Sequence, residues 1–348
     1  MRNFKDHILS EGAVISEALT RLNDIAPDSI LFVINDKKEL IGSLTDGDIR
    51  RGLIKGLDTH NSIIEFIQEN TRYLVKGDHS FKDIIDLRSL GITIVPVLDT
   101  DRKVVNVVNF RQFRSYLPVD AVVMAGGRGS RLSPLTDNIP KPLLKVGNKP
   151  IIEHNIDQLR KYGIDDFWIS VRYLGEQIEA YFKDGSAKGI QVEYVWENEP
   201  LGTIGAVSKV SNFVHDTVLI TNSDILTDLD YEKFFIHFEE QEADLSIVSI
   251  PYQVNVPYAV LELEGGRVQS FKEKPSYTYF SNGGIYLVKK KALELIPENT
   301  FFNATDLMER MIDKGMKVIS YPLRGYWLDV GKPEDFKKAN EDIEYLKT

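Results

Sequence analysis

The chain has 348 residues, 43% hydrophobic and 27% charged, a composition that is ordinary for a globular protein and excludes a disordered or collagen-like chain. Its formal net charge is −10, so it has no general basic surface for a nucleic-acid backbone and we expect no nucleic-acid partner. The absence of cysteine excludes disulfides, thiolate metal sites and cysteine nucleophiles. No apolar run approaches the ~20 residues that span a bilayer, and no apolar segment follows the charged N-terminus, so we expect a soluble cytoplasmic protein without a membrane partner.

The first part of the chain contains the same order of predicted elements twice. The first copy has a predicted helix over residues 14–22, strands at 29–35 and 40–45, and a helix that opens at Asp46. The second copy has a predicted helix over 81–90, strands at 92–98 and 104–109, and a short helix from Phe110. Two such units of roughly 50–60 residues indicate an internal duplication that forms one small α/β domain. Because Pro118 interrupts the pattern, we predict two domains, 1–117 and 118–348.

From Asp120 onward, predicted strands alternate with amphipathic helices. The strand-like runs are at residues 121–125, 167–171, 192–196 and 218–221. This alternation predicts an α/β fold with a doubly wound, mostly parallel Rossmann-like sheet, whose ligands bind beyond the carboxyl ends of the strands. Later, Gly265-Gly266 separates strand-like runs at 259–263 and 268–272, which predicts a hairpin because the two turn residues need a positive φ. A strand at 326–330 and a helix from Pro333 end the pattern.

A glycine-rich segment follows the first strand of the second domain. Gly126, Gly127 and Gly129 let the backbone approach a ligand closely and point N–H groups at phosphate oxygens, and Arg131 adds a planar donor for phosphate. The segment has neither the G-K-[ST] of a Walker loop nor the G-x-G-x-x-G of a dinucleotide site. A flexible surface loop is the alternative interpretation.

A single lysine, Lys141, stands between two prolines shortly after this segment. Pro140 and Pro142 restrict the backbone and therefore hold the ammonium group in place, which favours a lysine that belongs to a site. The alternative is a stiff loop with an exposed lysine.

Together these segments form a long motif. The run G-G-R-G-S-R-L-S-P-L-T-x-x-x-P-K-P-L-L, which starts at Gly126, resembles the signature of sugar-1-phosphate nucleotidylyltransferases. The resemblance covers the chain from about Ala121 onward. One departure is Ser130, where many members have threonine, and this change keeps the hydroxyl group. The resemblance implies transfer of a nucleoside monophosphate from an NTP to a sugar 1-phosphate, with release of pyrophosphate and with Mg²⁺ as cofactor.

Further segments match the family in order, and the resemblance implies a role for each. Catalysis is implied for Arg131 and Lys141, and nucleotide binding for Ala125, Gly126, Gly127, Glu197 and Gly202. Binding of the sugar phosphate is implied for Gly205, Glu273, Lys274 and Asn282. Binding of Mg²⁺ is implied for Asp224 and Asp329, and two carboxylates completed by phosphate oxygens and water are a set that Mg²⁺ accepts. Taken singly, either aspartate could instead be a turn or helix-capping residue.

Glu197 is the residue that indicates which nucleobase the NTP carries. A carboxylate only accepts hydrogen bonds, so it suits the adjacent N1–H and N2–H₂ donors of guanine, whereas an amide suits uracil or thymine better. The stretch from Lys141 to Asp335 most resembles guanylyltransferases, both mannose-1-phosphate guanylyltransferase-like proteins and the CBS-bearing glucosamine-1-phosphate guanylyltransferases of legionaminic acid biosynthesis. GTP is therefore the expected substrate. A uridylyl- or thymidylyltransferase, with Glu197 as an ordinary exposed carboxylate, is the alternative.

The N-terminal domain resembles the paired module called CBS. Its segment G-S-L-T-D-G-D-I at Gly42 matches the end of the CBS motif, which implies that Thr45 meets the phosphate and Asp48 the ribose of a regulatory nucleotide. Asn109 and Gln112 stand at these positions in the second repeat, so its site looks degraded. The alternatives are a module that serves only assembly, and a nucleotide-sensing protein whose transferase half is inactive. We also expect a homo-oligomer.

Overall fold

The structure is a computed structural model that describes residues 4–344. The chain folds into two compact units. The first unit takes the chain up to Pro118 together with two later segments, Leu159–Asp165 and Ala187–Ile190, and the second unit takes the other residues from Val119 on. The predicted division at residues 117–118 did not anticipate the two returning segments.

The first unit contains the same arrangement of strands and helices twice. Its strands are β1 (Ile8–Ser10), β2 (Ile30–Ile34), β3 (Leu40–Thr45), β4 (Leu74–Val75), β5 (Ile94–Leu98) and β6 (Val104–Asn109), and its helices are α1 (Ile15–Asp24), α2 (Asp46–Ile54) and α3 (Phe81–Ser89). In the order β1-β2-β3 the first pair is parallel and the second antiparallel, and β4-β5-β6 repeats both the order and the directions. Capping boxes at Thr45 and Ser80 begin α2 and α3.

The predicted short helix from Phe110 is wrong. The Asn109 carbonyl accepts hydrogen bonds from the N–H groups of Gln112 and Phe113, but the turn is not continued. Instead, the N–H groups of Arg114 and Leu117 donate to the carbonyls of Lys161 and Tyr162 in the returning segment. These non-local bonds replace the i→i−4 bonds that a helix would need.

The returning segment Leu159–Asp165 is closely packed within the first unit. A Cβ atom added at Gly163, which has φ +75°, would lie 2.5 Å from the Cα atom of Tyr116. The Asp165 carboxylate accepts hydrogen bonds from Asn106 Nδ2 at 3.0 Å and from Tyr116 Oη at 3.1 Å. The segment therefore completes the packing of the first unit around Tyr116.

The second unit is built on one large sheet. Its strands are β7 (Val119–Met124), β8 (Lys145–Val146), β9 (Lys149–Pro150), β10 (Asp166–Val171), β11 (Gln191–Trp196), β12 (Thr217–Asn222), β13 (Ile225–Thr227), β14 (Leu245–Asn255), β15 (Val260–Glu264), β16 (Arg267–Lys272), β17 (Ser276–Lys289), β18 (Val318–Pro322) and β19 (Trp327–Asp329). The helices that follow along the chain are α4 (Ile151–Arg160), α5 (Gly175–Phe182), α6 (Tyr231–Glu240), α7 (Lys290–Leu293), α8 (Ala304–Asp313) and α9 (Pro333–Asp342). Short 3-10 helices lie at Phe4–His7, Ile63–Glu65, Ser130–Leu132, Lys141–Leu143, Ser186–Lys188 and Gly205–Lys209.

The large sheet has the order β11-β10-β7-β12-β17-β14-β18. Its first four strands are parallel, β17 is antiparallel to both neighbours, and β18 is parallel to β14. This confirms the predicted α/β fold with a mostly parallel sheet. Strand β7 lies inside the sheet, with Ala121, Val122 and Val123 fully buried, which explains the apolar run that follows Asp120.

The predicted hairpin is confirmed. Strands β15 and β16 pair antiparallel in a sheet of their own, and both turn residues have a positive φ, +55° at Gly265 and +83° at Gly266. The hairpin extends from the outer halves of β14 and β17, and we call residues 251–282 the arm. Every residue of the arm is at least partly exposed to solvent. None of the helices described between residues 4 and 344 is long and apolar enough to cross a bilayer.

Candidate active site

A cavity of about 250 Å³ lies where β7, β10, β11 and β12 end. Ligands of open α/β sheets bind at this edge, next to the point where the strand order reverses, which here is between β10 and β12 on either side of β7. Seven residues predicted from the sequence line the cavity: Ala125, Gly126, Gly127, Lys141, Glu197, Gly202 and Asp224. They come from four separate segments of the chain, and the fold places these segments around one cavity.

A lysine and two aspartates form a charge cluster at this cavity. Lys141 Nζ donates a hydrogen bond to Asp224 Oδ2 and lies 3.9 Å from Asp329 Oδ1. Pairing of β13 with β19 places Asp329 opposite Ile225, and the Val330 N–H donates to the Asp224 carbonyl at 3.0 Å. Lys141 is only 8% exposed, so the alternative of an exposed lysine is wrong.

The two aspartates suit a divalent cation. The Oδ1 atoms of Asp224 and Asp329 are buried and, within the described residues, neither has a hydrogen-bond partner. Burial raises the pKa of Asp329, and the neighbouring Asp224 carboxylate raises it further, while Lys141 and Arg131 act in the opposite direction. Two adjacent carboxylates with unused oxygens match the hard oxygen ligands that Mg²⁺ prefers. The donor set therefore fits the cofactor expected from the sequence.

Arg131 lies beside this cluster. It belongs to the 3-10 helix Ser130–Leu132, and a Cβ atom added at Gly331 would lie 3.3 Å from Arg131 Nη2. The side chain is exposed and does not line the cavity. Its guanidinium group therefore lies beside Gly331, two residues after Asp329, where solvent and a ligand can reach it.

Glu197 is buried, 6% exposed, and not the exposed strand-end carboxylate of the alternative interpretation. Its Oε1 atom accepts from Ser170 Oγ, and its Oε2 atom accepts from the Leu201 N–H at 3.1 Å. These bonds join the end of β11 to β10 and to the loop before Gly202. This anchoring role was not predicted from the sequence, and its one usable signal was Ser170, a polar residue inside the apolar strand β10 that needs a hydrogen-bond partner when buried.

The residues predicted for the sugar phosphate are not gathered at the cavity. Glu273 and Lys274 are exposed on the arm, and Asn282 Oδ1 accepts hydrogen bonds from the Gly284 N–H and from Tyr286 Oη. Gly205 is packed against the backbone, because an added Cβ would lie 2.7 Å from the Thr300 carbonyl oxygen. Their predicted roles stay predictions.

Most other lining residues are neighbours of the predicted ones in the chain, but two, Arg172 and Phe301, come from segments that the sequence analysis did not single out. Arg172 directly follows β10, and its Cβ would lie 3.5 Å from one added at Gly126. A cation at the carboxyl end of a predicted strand was a usable signal. Phe301 lies in a stretch with no regular pattern, which offered none.

A second acidic group lies in the same unit. Among the described residues, the ligand atoms of Asp120, Asp166 and His215 all lie within 4.8 Å of one another, and all three side chains are buried. The His215 N–H donates to Asp120 Oδ2 at 2.9 Å, and His215 Nδ1 lies 2.8 Å from Asp120 Oδ1. Asp120 and Asp166 stand at the amino ends of β7 and β10, away from the cavity. These hydrogen bonds hold the segment before β12, which contains His215, against the end of β7.

In the first unit, Thr45 and Asp48 are used locally. Thr45 Oγ1 donates to Asp48 Oδ2 at 2.5 Å, and the Asp48 N–H donates to Thr45 Oγ1 at 3.3 Å, so the pair caps α2. Asp48 is buried and also accepts from Gln68 Nε2 at 3.0 Å. A cavity of about 670 Å³ lies instead in the second repeat, where Arg111 and Gln112 line it.

Comparison with known proteins identifies the family. Residues 120–345 match the model of the nucleotidyl transferase family. This chain belongs to that family. A UTP–glucose-1-phosphate uridylyltransferase of Synechocystis sp. is 29% identical over 239 residues, which cover 63% of this chain and 62% of that protein. A D-glycero-α-D-manno-heptose 1-phosphate guanylyltransferase of Aneurinibacillus thermoaerophilus is 32% identical over 231 residues, which cover 65% of this chain and 99% of that protein.

A solved structure supports the fold of this family member. The crystal structure of a Bacillus anthracis chain assigned to the glucose-1-phosphate thymidylyltransferases has a TM-score of 0.52 and 24% identity, and the match covers 64% of this chain and 94% of that chain. The chain spans less than two thirds of the length of the Synechocystis relative. The Synechocystis relative is a uridylyltransferase and the Aneurinibacillus relative is a guanylyltransferase, so membership of the family does not identify the nucleobase that this chain uses.

Gly126 and Gly127 make a matched pair for a test of the cavity wall. A Cβ atom at Gly126 would lie 2.5 Å from Glu197 Oε1, whereas one at Gly127 would meet nothing within 4 Å. We expect Gly126→Ala to displace the Glu197 carboxylate and to lower the free energy of unfolding by about 1–3 kcal/mol, the usual cost of overpacking. Gly127→Ala should leave it unchanged. Denaturant unfolding of both variants checks this, and equal stabilities would contradict the close approach.

Proposed function

We propose that this nucleotidyl transferase moves a nucleoside monophosphate, with GMP favoured, from an NTP to a sugar 1-phosphate and releases pyrophosphate. The observation that carries the proposal is the cluster of Lys141, Asp224 and Asp329 at a cavity walled by two adjacent glycines. A buried cation beside two carboxylates with unused oxygens is suited to phosphate groups and a divalent ion. Family membership and the named relatives support the same reaction class.

In the proposed reaction, an oxygen of the sugar phosphate attacks the α-phosphorus of the NTP. A new P–O bond forms while the bond to the β-phosphate oxygen breaks, and pyrophosphate leaves with that electron pair. The attacking phosphate is already an anion, so the protein has no proton to remove. The rate then depends on positioning and on stabilising charge around phosphorus.

Each cation of the site has a proposed place in this reaction. Lys141 stabilises charge at the α-phosphate, and Arg131 binds the departing pyrophosphate. Asp224 and Asp329 would hold Mg²⁺, which supplies charge neutralisation between the phosphates. The backbone of Gly126 and Gly127 binds phosphate oxygens, as glycine lets a ligand approach the chain closely. Glu273, Lys274, Gly205 and Asn282 are proposed to bind the sugar phosphate.

The choice of GTP rests on Glu197. A carboxylate has about four lone-pair positions, and Ser170 and Leu201 use two of them. Two acceptor positions therefore remain on a group that lines the cavity, which matches the two adjacent N–H donors of guanine. The guanylyltransferase relative is consistent with this choice, and the uridylyltransferase relative is the reason to keep UTP as the alternative.

For the first unit we propose a CBS-like pair that binds one regulatory nucleotide at Thr45 and Asp48. The repeated topology of β1-β2-β3 and β4-β5-β6 supports the pair. Regulation requires that the nucleotide bind one state of the protein more tightly than another. The cavity at Arg111 and Gln112 is the competing location within this unit.

The reaction is tested by pyrophosphate release over a grid of NTPs and sugar 1-phosphates. In the best pair, we expect Asp224→Asn to lower kcat at least about a hundredfold, because it removes a charge from the proposed cation site while keeping the side-chain shape. It should also raise the Mg²⁺ concentration needed for half-maximal rate. Asp313→Asn, an exposed position on α8, is the control. Release of no pyrophosphate with any pair would contradict the transferase proposal.

The base is tested with Glu197→Gln. The amide has an NH₂ donor in place of one carboxylate oxygen, so one of the two proposed contacts to guanine becomes mismatched, and GTP use should weaken relative to UTP by about 1–3 kcal/mol in kcat/KM. A merely loosened loop would lower both activities equally, so the GTP-to-UTP ratio is the informative quantity. Glu199→Gln, an exposed neighbour, is the control. An unchanged ratio would move the base contact to another residue.

The regulatory nucleotide is tested by calorimetry of the full chain with AMP, ATP, GMP and GTP. Asp48→Asn should abolish one binding event, whereas Asp46→Asn, which alters the exposed first residue of α2, should not. Thermal unfolding must accompany the titration, because loss of the cap costs about 1 kcal/mol by itself. If no nucleotide binds below millimolar concentration, the first unit is an assembly element instead.

A further inference from the structure

Arg172 lies in the wall of the cavity, and the reaction described above gives it no part. It is partly buried, and Lys141 is the other cation that lines the cavity. Lys141 contacts two carboxylates, whereas within residues 4–344 the Arg172 guanidinium group has neither a hydrogen bond nor an ion pair. All of its N–H donors are therefore available to a ligand in the cavity.

Strand order places Arg172 between Glu197 and Gly126. Strand β10 has β11 on one side and β7 on the other. The register of both pairs, continued beyond the strand ends, sets Arg172 opposite Glu197 on one side and opposite Gly126 on the other. A Cβ atom added at Gly126 would lie 2.5 Å from Glu197 Oε1 and 3.5 Å from Arg172 Cβ. The Glu197 and Arg172 side chains therefore meet over the same glycine.

The proposed cation site lies on the other side of Gly126. Asp224 follows β12, which pairs with β7 on the side away from β10. Neighbouring strands are about 4.8 Å apart, so Arg172 is roughly 10 Å along the sheet edge from the strand that leads to Asp224, and half as far from the strand that leads to Glu197. Arg172 therefore belongs to the end of the cavity where Glu197 lies and not to the end where phosphates and Mg²⁺ are proposed.

Arg172 and Glu197 form a pair of opposite hydrogen-bonding character. A guanidinium group only donates, and a carboxylate only accepts. Guanine has a carbonyl oxygen, O6, next to the N1–H group, and uracil and thymine have O4 next to N3–H. Adenine and cytosine instead have an amino group, which donates, next to a ring nitrogen that accepts. The pair of side chains matches the first kind of base edge and mismatches both positions of the second.

We propose that Arg172 is a specificity residue that selects an oxo base, guanine, uracil or thymine, by donating to its O6 or O4 carbonyl while Glu197 accepts from the adjacent ring N–H. An amino base would leave the guanidinium and the carboxylate unpaired, which makes binding of ATP or CTP unfavourable. The proposal rests on the function proposed above and deepens it. Glu197 distinguishes GTP from UTP, and Arg172 distinguishes both of them from ATP and CTP.

The test compares ITP with ATP, whose bases differ only at the edge in question, since hypoxanthine has O6 and N1–H but lacks the amino group of guanine. Binding of each nucleotide to the full chain is measured by calorimetry with Mg²⁺, and pyrophosphate release is measured with the best sugar 1-phosphate. The wild type should prefer ITP, and Arg172→Met should lower the ITP-to-ATP ratio of affinities at least about tenfold. Arg267→Met, which removes an exposed guanidinium group on β16, is the control and should leave the ratio unchanged.

The ratio separates a base contact from other roles of Arg172. If the guanidinium bound phosphate or only supported the loop, Arg172→Met would weaken ITP and ATP equally, and the unchanged ratio would overturn the proposal. Arg172→Lys keeps a donor and should give an intermediate ratio. A wild type that prefers ATP, or binds neither nucleotide, would overturn the proposal as well. A preference for ITP that Arg172→Met removes, without pyrophosphate release from any pair, would support the base contact and contradict only the transferase reaction.

Discussion

The constraint on which the second unit depends is that two carboxylates are held side by side in a poorly solvated place. The pairing of β13 with β19 fixes Asp224 next to Asp329, and the backbone cannot separate them without breaking that ladder. Their repulsion is balanced by Lys141, whose own position is fixed by a proline on each side. The pKa of Asp329 is raised first by burial of its carboxyl group and then by the neighbouring Asp224 carboxylate, so the protein environment disfavours two negative charges at this place. A further positive charge would stabilise the two carboxylates, and a divalent cation bound to the phosphates of an NTP could supply it.

Much of the fold could be predicted from the sequence because its signals are local. Strand β7 is buried on both faces and therefore has an apolar run after Asp120, and the two glycines at 265 and 266 have backbone angles that other residues rarely adopt. The cavity was predicted for a related reason. Ligand-binding residues follow the ends of parallel strands, and Ala125, Glu197 and Asp224, which the family resemblance singled out, come directly after β7, β11 and β12.

What the sequence could not give depended on contacts between distant residues. The turn after Asn109 does not become a helix because its N–H groups find carbonyls about 50 residues later. An exposed Glu197 stayed an open alternative because its partners, Ser170 and the Leu201 N–H, cannot be identified from sequence spacing. Thr45 and Asp48 illustrate an ambiguity of another kind, since T-x-x-D is both a nucleotide motif and a helix-capping pattern.

The division of the chain into units has a consequence for synthesis on the ribosome. The first unit is complete only when Leu159–Asp165 and Ala187–Ile190 have been made, although its other residues end at Pro118. The difference is 190 − 118 = 72 residues, which takes roughly 4–14 s at 5–20 residues per second. During the first part of that interval Tyr116 lacks the segment Leu159–Asp165 that packs against it, although β7 of the second unit has already been made. The two units therefore mature together rather than in strict order from the N-terminus, and a nascent chain arrested near residue 118 would contain an unfinished first unit.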